Sequence, residues 1–119
     1  MNSGMLQSMA GSHIFELRTY HAAPGKFDAL TARFRDHVDA IFKKHDMNAI
    51  AYWTPQDNTE DVLIYILEHK SKADAEKNWT AFLADDEWKK VRAESEVDGP
   101  LAAKIDSVFM NPTDFSKLK

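Results

Sequence analysis

The sequence predicts an α+β fold of ferredoxin-like order, β-α-β-β-α-β, with both helices on one face of a four-stranded antiparallel sheet. Three observations predict it. Residues 13–21 alternate in polarity like a half-buried strand, and apolar residues from 27 to 45 recur at steps of three and four, as on a helix. Residues 62–67 (V-L-I-Y-I-L) are continuously apolar, which is typical of a strand covered on both faces.

The first strand spans His13 to His21. Because side chains alternate along a strand, Phe15, Leu17 and Thr19 are predicted on one side, with Ile14, Glu16, Arg18 and Tyr20 on the other. Pro24-Gly25 ends this strand, and an amphipathic helix of roughly twenty residues follows.

Met47 to Trp53 is predicted as the second strand, and the polar run at 55–61 as a hairpin loop. The third strand, at 62–67, should lie centrally in the sheet. Ile105 to Met110 is predicted as the fourth strand.

The second helical region begins where Ser71 can cap a helix. Its predicted apolar stripe consists of Ala75, Trp79, Phe82 and Leu83. Asp85 or Asp86 can cap a further short helix that carries Trp88 and Val91.

Residues 1–12 contain three methionines and no periodic apolar pattern, so they are interpreted as a disordered leader or a remnant of the expression vector. Residues 13–119 form the single predicted domain, consistent with a length of 119 residues. The leader lacks the basic and apolar regions of a signal peptide, and no stretch reaches the ~18 apolar residues of a membrane helix. We therefore expect a soluble cytoplasmic protein with no membrane partner.

Composition excludes several classes of function. The net charge is −4, from 15 Lys plus Arg against 19 Asp plus Glu, without a basic block, so nucleic acid is not expected as a partner. The absence of cysteine excludes disulfides, thiolate catalysis, thiolate zinc sites and iron–sulfur clusters. The four glycines are too widely spaced for a phosphate-binding loop.

The sheet face opposite the helices needs a cover, because the third strand, with Ile14 and Tyr20, would otherwise leave an exposed apolar patch. A second copy of the chain is the predicted cover. The sequence therefore predicts a homodimer with two sheets packed face to face.

Glu16, Arg18 and Tyr20 are the polar candidates for a functional site. Alternate residues of a strand lie roughly 7 Å apart, so a carboxylate, a guanidinium and a phenol would line one surface. They could bind an anionic or oxygen-bearing ligand, or Glu16 and Arg18 could simply form an ion pair on a covered face.

Aromatic residues offer a second set of candidates. Trp53 and Tyr65 on strands, together with Trp79 and Trp88 on helices, could form the wall of a pocket for a flat organic molecule. Large aromatic residues at such spacing are more often part of the core, and burial alone explains them.

The five histidines show no compact spacing for metal ligands, so no metal site is predicted. A single histidine could still serve as an axial haem ligand, and the candidates at element ends are His21, His45 and His69.

Four segments resemble the NIPSNAP family in the same order. They are F-E-L-R-T-Y-H-A-A-P-G-K-F at 15–27, Y-W-T-P at 52–55, D-D-E-W at 85–88 and P-T-D-F-S at 112–116. Two positions depart from the family pattern: Asp46 stands where the family often has Gly, and Asp86 where it often has Pro.

The resemblance implies the dimeric α+β barrel superfamily, which includes cofactor-independent monooxygenases, haem-degrading enzymes, isomerases and proteins of unknown role. By the same resemblance, Phe115 is expected to dock on the domain or on its partner. Fold alone does not choose among such activities.

Three functional hypotheses follow. The first is a small homodimer that binds a hydrophobic or aromatic molecule between sheet and helices, with cofactor-independent oxygenase or isomerase activity as an option. The second is a non-catalytic interaction or scaffold protein. The third is a haem-binding protein. An enclosed cavity lined by polar groups and aromatic rings would favour the first, and a filled interior the second.

Overall fold

A computed structural model describes residues 13–119, so the predicted leader lies outside the described residues. The strands are β1 (Ile14–Ala22), β2 (Asn48–Trp53), β3 (Val62–His69) and β4 (Ala102–Met110). The helices are α1 (Phe27–Arg33), α2 (Asp39–Lys44), α3 (Lys72–Ala84) and α4 (Asp86–Ser95), and a π-helical turn (Phe34–Val38) joins α1 to α2. The α+β class and the order of elements are as predicted.

The four strands form one antiparallel sheet in the order β2-β3-β1-β4. The apolar run V-L-I-Y-I-L lies in β3, a central strand, as its composition predicted. In the register, Arg18 of β1 lies opposite Tyr65 of β3 on one side and Ser107 of β4 on the other. Polar side chains from three strands therefore lie next to each other on one face of the sheet.

The helices cover that same face and bury its side chains on β3, whereas Ile105 and Phe109 on the edge strand β4 stay partly exposed. On β3 the buried residues Leu63, Tyr65 and Leu67 alternate with the half-buried Ile64 and Ile66. The core includes residues from the long helical region, from β3 and from α3. They include Leu30, Phe34, Val38, Ile41, Phe42, Met47, Leu63, Tyr65, Leu67 and Phe82.

The prediction that Tyr20 lies on the open face of the sheet is wrong. Tyr20 is 7% exposed and belongs to the core beneath the helices. Alternation correctly separated the two sides of β1, but it carries no information about which side the helices cover. The open face takes Phe15, Leu17 and Thr19 instead of Ile14 and Tyr20, since Leu17 and Thr19 lie opposite Ile66 and Ile64.

The first helical region begins at Phe27 as predicted, but it is interrupted by the π-helical turn. A single π turn inserts one extra residue into the helix and shifts the face that follows. After α2, Asp46 adopts a φ of 58°, in the left-handed region that favours glycine. This explains why glycine is frequent at this position in the family that the sequence resembles.

Both predicted helix caps are present. The Ser71 hydroxyl accepts a hydrogen bond from the Asp74 amide, and the Asp85 carboxylate accepts one from the Glu87 amide. The apolar stripe of α3 is narrower than predicted, because Phe82 is buried whereas the neighbouring Leu83 is exposed. Adjacent residues on a helix point about 100° apart, and Leu83 lies at the margin of the buried stripe that includes Phe82.

The tail after β4 places Pro112, Ser116 and Leu118 along a groove shared with Phe15 and Ile66 on the open face. Phe115 itself is 81% exposed. The prediction that it docks on its own domain is therefore wrong, because the turn at the tail directs it away from the sheet. Docking on a partner stays a prediction.

Candidate functional site

The Glu16 carboxylate is the centre of a buried polar cluster beneath α3. The residue is 1% exposed, and both of its oxygens accept hydrogen bonds. Oε1 lies 2.9 Å from His69 Nε2 and 2.9 Å from Trp79 Nε1, while Oε2 lies 2.8 Å from Arg18 Nη1 and 2.7 Å from Ser107 Oγ. Four donors from three strands and one helix thus satisfy one carboxylate.

These donors decide the charge of Glu16. Burial by itself would raise its pKa, because desolvation penalises the charged form. The hydrogen bonds from His69, Trp79, Arg18 and Ser107 outweigh burial and lower the pKa of Glu16 to about 2. Glu16 is therefore an anion at neutral pH.

Arg18 carries the compensating charge. Its Nη1 donates to Glu16, and its Nη2 donates to the Tyr20 hydroxyl at 3.1 Å. The guanidinium carbon lies 4.3 Å from the centroid of the Trp79 ring, a cation–π distance. Burial opposes the charge of Arg18, but the neighbouring tyrosines Tyr20 and Tyr65 and the Glu16 carboxylate hold its pKa above the usual value.

Two tyrosine hydroxyls extend the cluster. The Tyr65 hydroxyl donates to the Tyr20 hydroxyl at 3.2 Å, and burial raises the pKa of Tyr65 well above its ordinary value. The Tyr20 oxygen therefore accepts bonds from both Tyr65 and Arg18. Its own hydrogen remains for a further acceptor.

A cavity of about 270 Å³ opens between the sheet and the helices, directly beside Arg18 and Tyr20. Phe82 stands between the two tryptophans of its wall, with ring centroids 5.4 Å from Trp79 and 5.1 Å from Trp88. Further lining comes from Phe34, Val38, Phe42, Pro100, Ala102 and Ile105, and charged side chains stand at Arg33, Arg92 and Glu96. Aromatic rings with a few polar groups are typical of a small-molecule site.

A larger cavity of about 430 Å³ lies on the other side of the core, between the first helical region and β2. The Tyr52 hydroxyl on its wall donates to Asp39 at 2.8 Å. Because its principal polar groups satisfy each other, this cavity offers a ligand little specific recognition.

Four of the five predicted site residues come together. Glu16, Arg18, Tyr20 and Tyr65 form one continuous hydrogen-bonded chain beside the aromatic cavity. Trp53 does not join them: it is 51% exposed on the edge strand β2, opposite Ile64, and so lies on the open face.

Sequence reasoning missed His69 and Ser107 as partners of Glu16. His69 shares the buried parity of Tyr65 and Leu67 on β3, a signal that was available in the alternation. Ser107 carries no such signal, because an isolated serine on a strand is unremarkable until the register of β4 is known.

None of the three histidines considered for haem borders the aromatic cavity. His69 is bonded to Glu16, His45 lies 2.6 Å from Asp85, and His21 lies 3.0 Å from Asp106. These residues therefore do not fit haem ligation in this cavity. Within residues 13–119, no three His, Asp or Glu side chains are grouped to hold a metal ion.

These features define a small α+β protein with one antiparallel sheet, helices on one face, and a buried carboxylate–guanidinium pair beside an aromatic cavity. The chain belongs to the NIPSNAP family, whose model matches residues 15–117. This confirms the resemblance found in the sequence.

Solved structures share the fold. A NIPSNAP family protein from Agrobacterium tumefaciens is 23% identical, with a TM-score of 0.79 over 90% of this chain and 99% of that chain. A NIPSNAP-like domain protein from Burkholderia xenovorans is 19% identical, with a TM-score of 0.74 over 87% of this chain and 88% of that one.

A provisionally assigned antibiotic biosynthesis monooxygenase from Chloroflexus aurantiacus has the same architecture. It is 18% identical, with a TM-score of 0.57 over 91% of this chain and 100% of its own. At such identities the likeness concerns the fold alone. No curated protein matches the sequence.

Among the described residues, no helix is both long enough and apolar enough to cross a membrane.

The first prediction concerns the pairing of Glu16 with Arg18. Arg18→Met leaves a buried carboxylate without its cation, and removing one partner of a buried pair typically costs about 3–5 kcal/mol. The companion change Glu16→Gln should recover much of that loss, because the amide can then donate to Ser107 while its oxygen keeps His69 and Trp79.

Urea unfolding of the two single variants and the double variant measures this coupling. Additive losses would contradict it. If Arg18→Met is as stable as the wild type, Arg18 does not stabilise the buried charge of Glu16.

The second prediction is a loss of stability in acid. The pKa of Glu16 is about 2 when folded and 4.5 when unfolded, so the ionised carboxylate stabilises the fold above pH 4.5. That contribution, on the order of 3 kcal/mol, is lost as the pH falls from 4.5 toward 2.

The free energy of unfolding should therefore drop more steeply in the wild type than in Glu16→Gln over this window. Parallel pH profiles of the two proteins, measured by urea unfolding, would contradict the assignment.

Proposed function

We propose that the protein is a homodimer that binds a hydrophobic or aromatic small molecule in the cavity between sheet and helices. The observation that carries the proposal is the cavity wall, where aromatic rings surround a guanidinium and a tyrosine hydroxyl. The rings provide apolar contact, and the polar pair provides orientation.

The polar side of the cavity supports recognition of an oxygen atom. Since the Tyr20 oxygen already accepts hydrogen bonds from Tyr65 and Arg18, its hydrogen is free to donate to a ligand oxygen. Accepting two donors also polarises the O–H bond and strengthens it as a donor. No cofactor is part of the proposal.

Cofactor-independent oxygenase or isomerase activity is the second candidate. The Tyr20 hydroxyl beside the Arg18 guanidinium favours it, because the pair could stabilise negative charge that develops on a substrate oxygen. The fold shared with the Chloroflexus aurantiacus protein is compatible with this candidate. The scaffold alternative leaves the cavity and its polar pair without a role.

The open face of the sheet supports the dimer. Leu17, Ile64 and Ile66 are only half-buried there, and Val108 and Trp53 are about half exposed. Such an apolar surface needs a cover, and the equally apolar open face of a second copy of the chain would supply one. Phe115, exposed in the tail, would contact that second copy.

The third prediction tests the dimer. Val108→Glu places a charge on the open face, on the edge strand β4 opposite Leu17, and should convert the protein to a monomer. Light scattering should give twice the chain mass of 13.6 kDa for the wild type and the single chain mass for the variant.

Val97→Glu is the matched control, because Val97 is exposed beyond α4 and away from the sheet. It should remain a dimer. A monomeric wild type at micromolar concentration would overturn this part of the proposal.

The fourth prediction tests the cavity with the neutral aromatic probe 2-naphthamide. Calorimetric titration should detect binding to the wild type and not to Ala102→Phe, in which a ring fills the cavity. Ala103→Phe is the matched control, because the adjacent Ala103 is exposed and is not part of the cavity wall.

If Ala102→Phe and Ala103→Phe bind 2-naphthamide with equal affinity, the probe binds elsewhere on the protein. Absence of binding to the wild type would contradict the proposed function.

A further inference from the structure

The mouth of the aromatic cavity carries a group of three charged residues. Arg33 Nη1 donates to Glu96 at 2.9 Å and to the Ser95 hydroxyl at 3.1 Å, and Arg92 Nε lies 3.5 Å from the same Glu96 carboxylate. Two guanidinium groups therefore share one carboxylate. Arg33 and Arg92 both border the cavity, as does Glu96.

This sharing leaves one positive charge without a counter-ion at the mouth. Two arginines against one glutamate give a local balance of +1, whereas the charge of Arg18, on the sheet side of the cavity, is matched by Glu16. The balance is notable in a chain whose net charge is −4. An anion would be drawn to the mouth.

Arg33 also holds an unused donor. The residue is only 6% exposed, yet its Nε–H has no partner among the described residues. Buried polar groups in proteins are normally hydrogen-bonded, so Arg33 has donor capacity that its protein partners do not use. Its guanidinium lies 5.1 Å from the centroid of the Trp88 ring, next to the aromatic wall.

The other side of Arg33 does not suit an anion. There it borders a shallower groove whose wall includes Asp36 and Glu94. These carboxylates would repel a negative ligand, so the cavity is the favourable side for one.

We propose that Arg33, with Arg92, binds the anionic group of an aromatic acid whose ring lies in the cavity near Phe82 and Trp88. A carboxylate is planar, like the guanidinium, and is an anionic group that arginine commonly binds. The inference rests on the proposed function and adds the class of ligand to it. Arg18 also has a buried Nε–H without a partner among the described residues, but its charge is matched by Glu16, and its Nη1 and Nη2 donate to Glu16 and Tyr20. The unmatched positive charge therefore lies at Arg33 and Arg92.

The experiment compares two probes of equal shape, 2-naphthoate and the neutral 2-naphthamide, by calorimetric titration. The wild type should bind the carboxylate at least about tenfold more tightly, since a charge-assisted pair adds to the same ring contacts. Arg33→Met should abolish this preference and leave the affinity for the amide unchanged. Arg33→Lys should retain part of the preference.

Arg35→Met is the matched control. Arg35 precedes Asp36, pairs with it, and is not part of the aromatic cavity, so its loss should change neither affinity. Circular dichroism checks the fold of each variant. If Arg33→Met does not fold, Arg92→Met tests the proposal instead, because Arg92 is exposed and its loss should not impair folding. This variant should show a several-fold smaller preference for the carboxylate. Added salt should reduce the preference of the wild type in the same way.

The outcomes separate the two proposals. Equal affinity of the wild type for the two probes, or equal weakening of both by Arg33→Met, overturns the role of Arg33 and leaves the cavity as a binding site. An unchanged preference in Arg92→Met and in high salt also overturns it. If neither 2-naphthoate nor 2-naphthamide binds to the wild type, the proposed function is overturned together with the inference.

Discussion

One buried carboxylate sets the conditions for the rest of this structure. An ionised Glu16 is tolerated in the core only because His69, Trp79, Arg18 and Ser107 all reach it. Its donors lie on β1, β3, β4 and α3, so a shift in the register of either neighbouring strand, or in the position of α3, would leave the charge unsatisfied. Apolar contacts are non-directional, whereas the four hydrogen bonds to Glu16 require this strand register and this position of α3.

The same constraint prepares the cavity. Arg18 is held by Glu16, stacks on Trp79 and donates to Tyr20, so its orientation is determined before any ligand arrives. Tyr65 completes the chain by donating to Tyr20. Groups that are fixed in advance lose little freedom on binding, which is how a small site gains affinity. Stability and the proposed recognition thus depend on one hydrogen-bonded network.

The two faces of the sheet have separate roles. The covered face carries the polar network and the cavity, and the open face carries apolar side chains such as Leu17, Ile66 and Val108. Because successive residues of a strand point to opposite faces, the proposed dimer contact and the proposed ligand site lie within one residue of each other along β1.

Local patterns in the sequence were sufficient for the fold class, the central position of β3, the caps at Ser71 and Asp85, and the grouping of Glu16, Arg18 and Tyr20 on one side of a strand. Each depends on periodicity or on residues a few positions apart. The sequence did not decide which side of β1 the helices cover, nor that Trp53 and Leu83 would be exposed. It did not pair Glu16 with His69 or with Ser107, which lie 53 and 91 residues away along the chain. Such contacts arise only when strand register and helix packing bring distant segments together, because periodicity reports which residues share a face and not which residues face them.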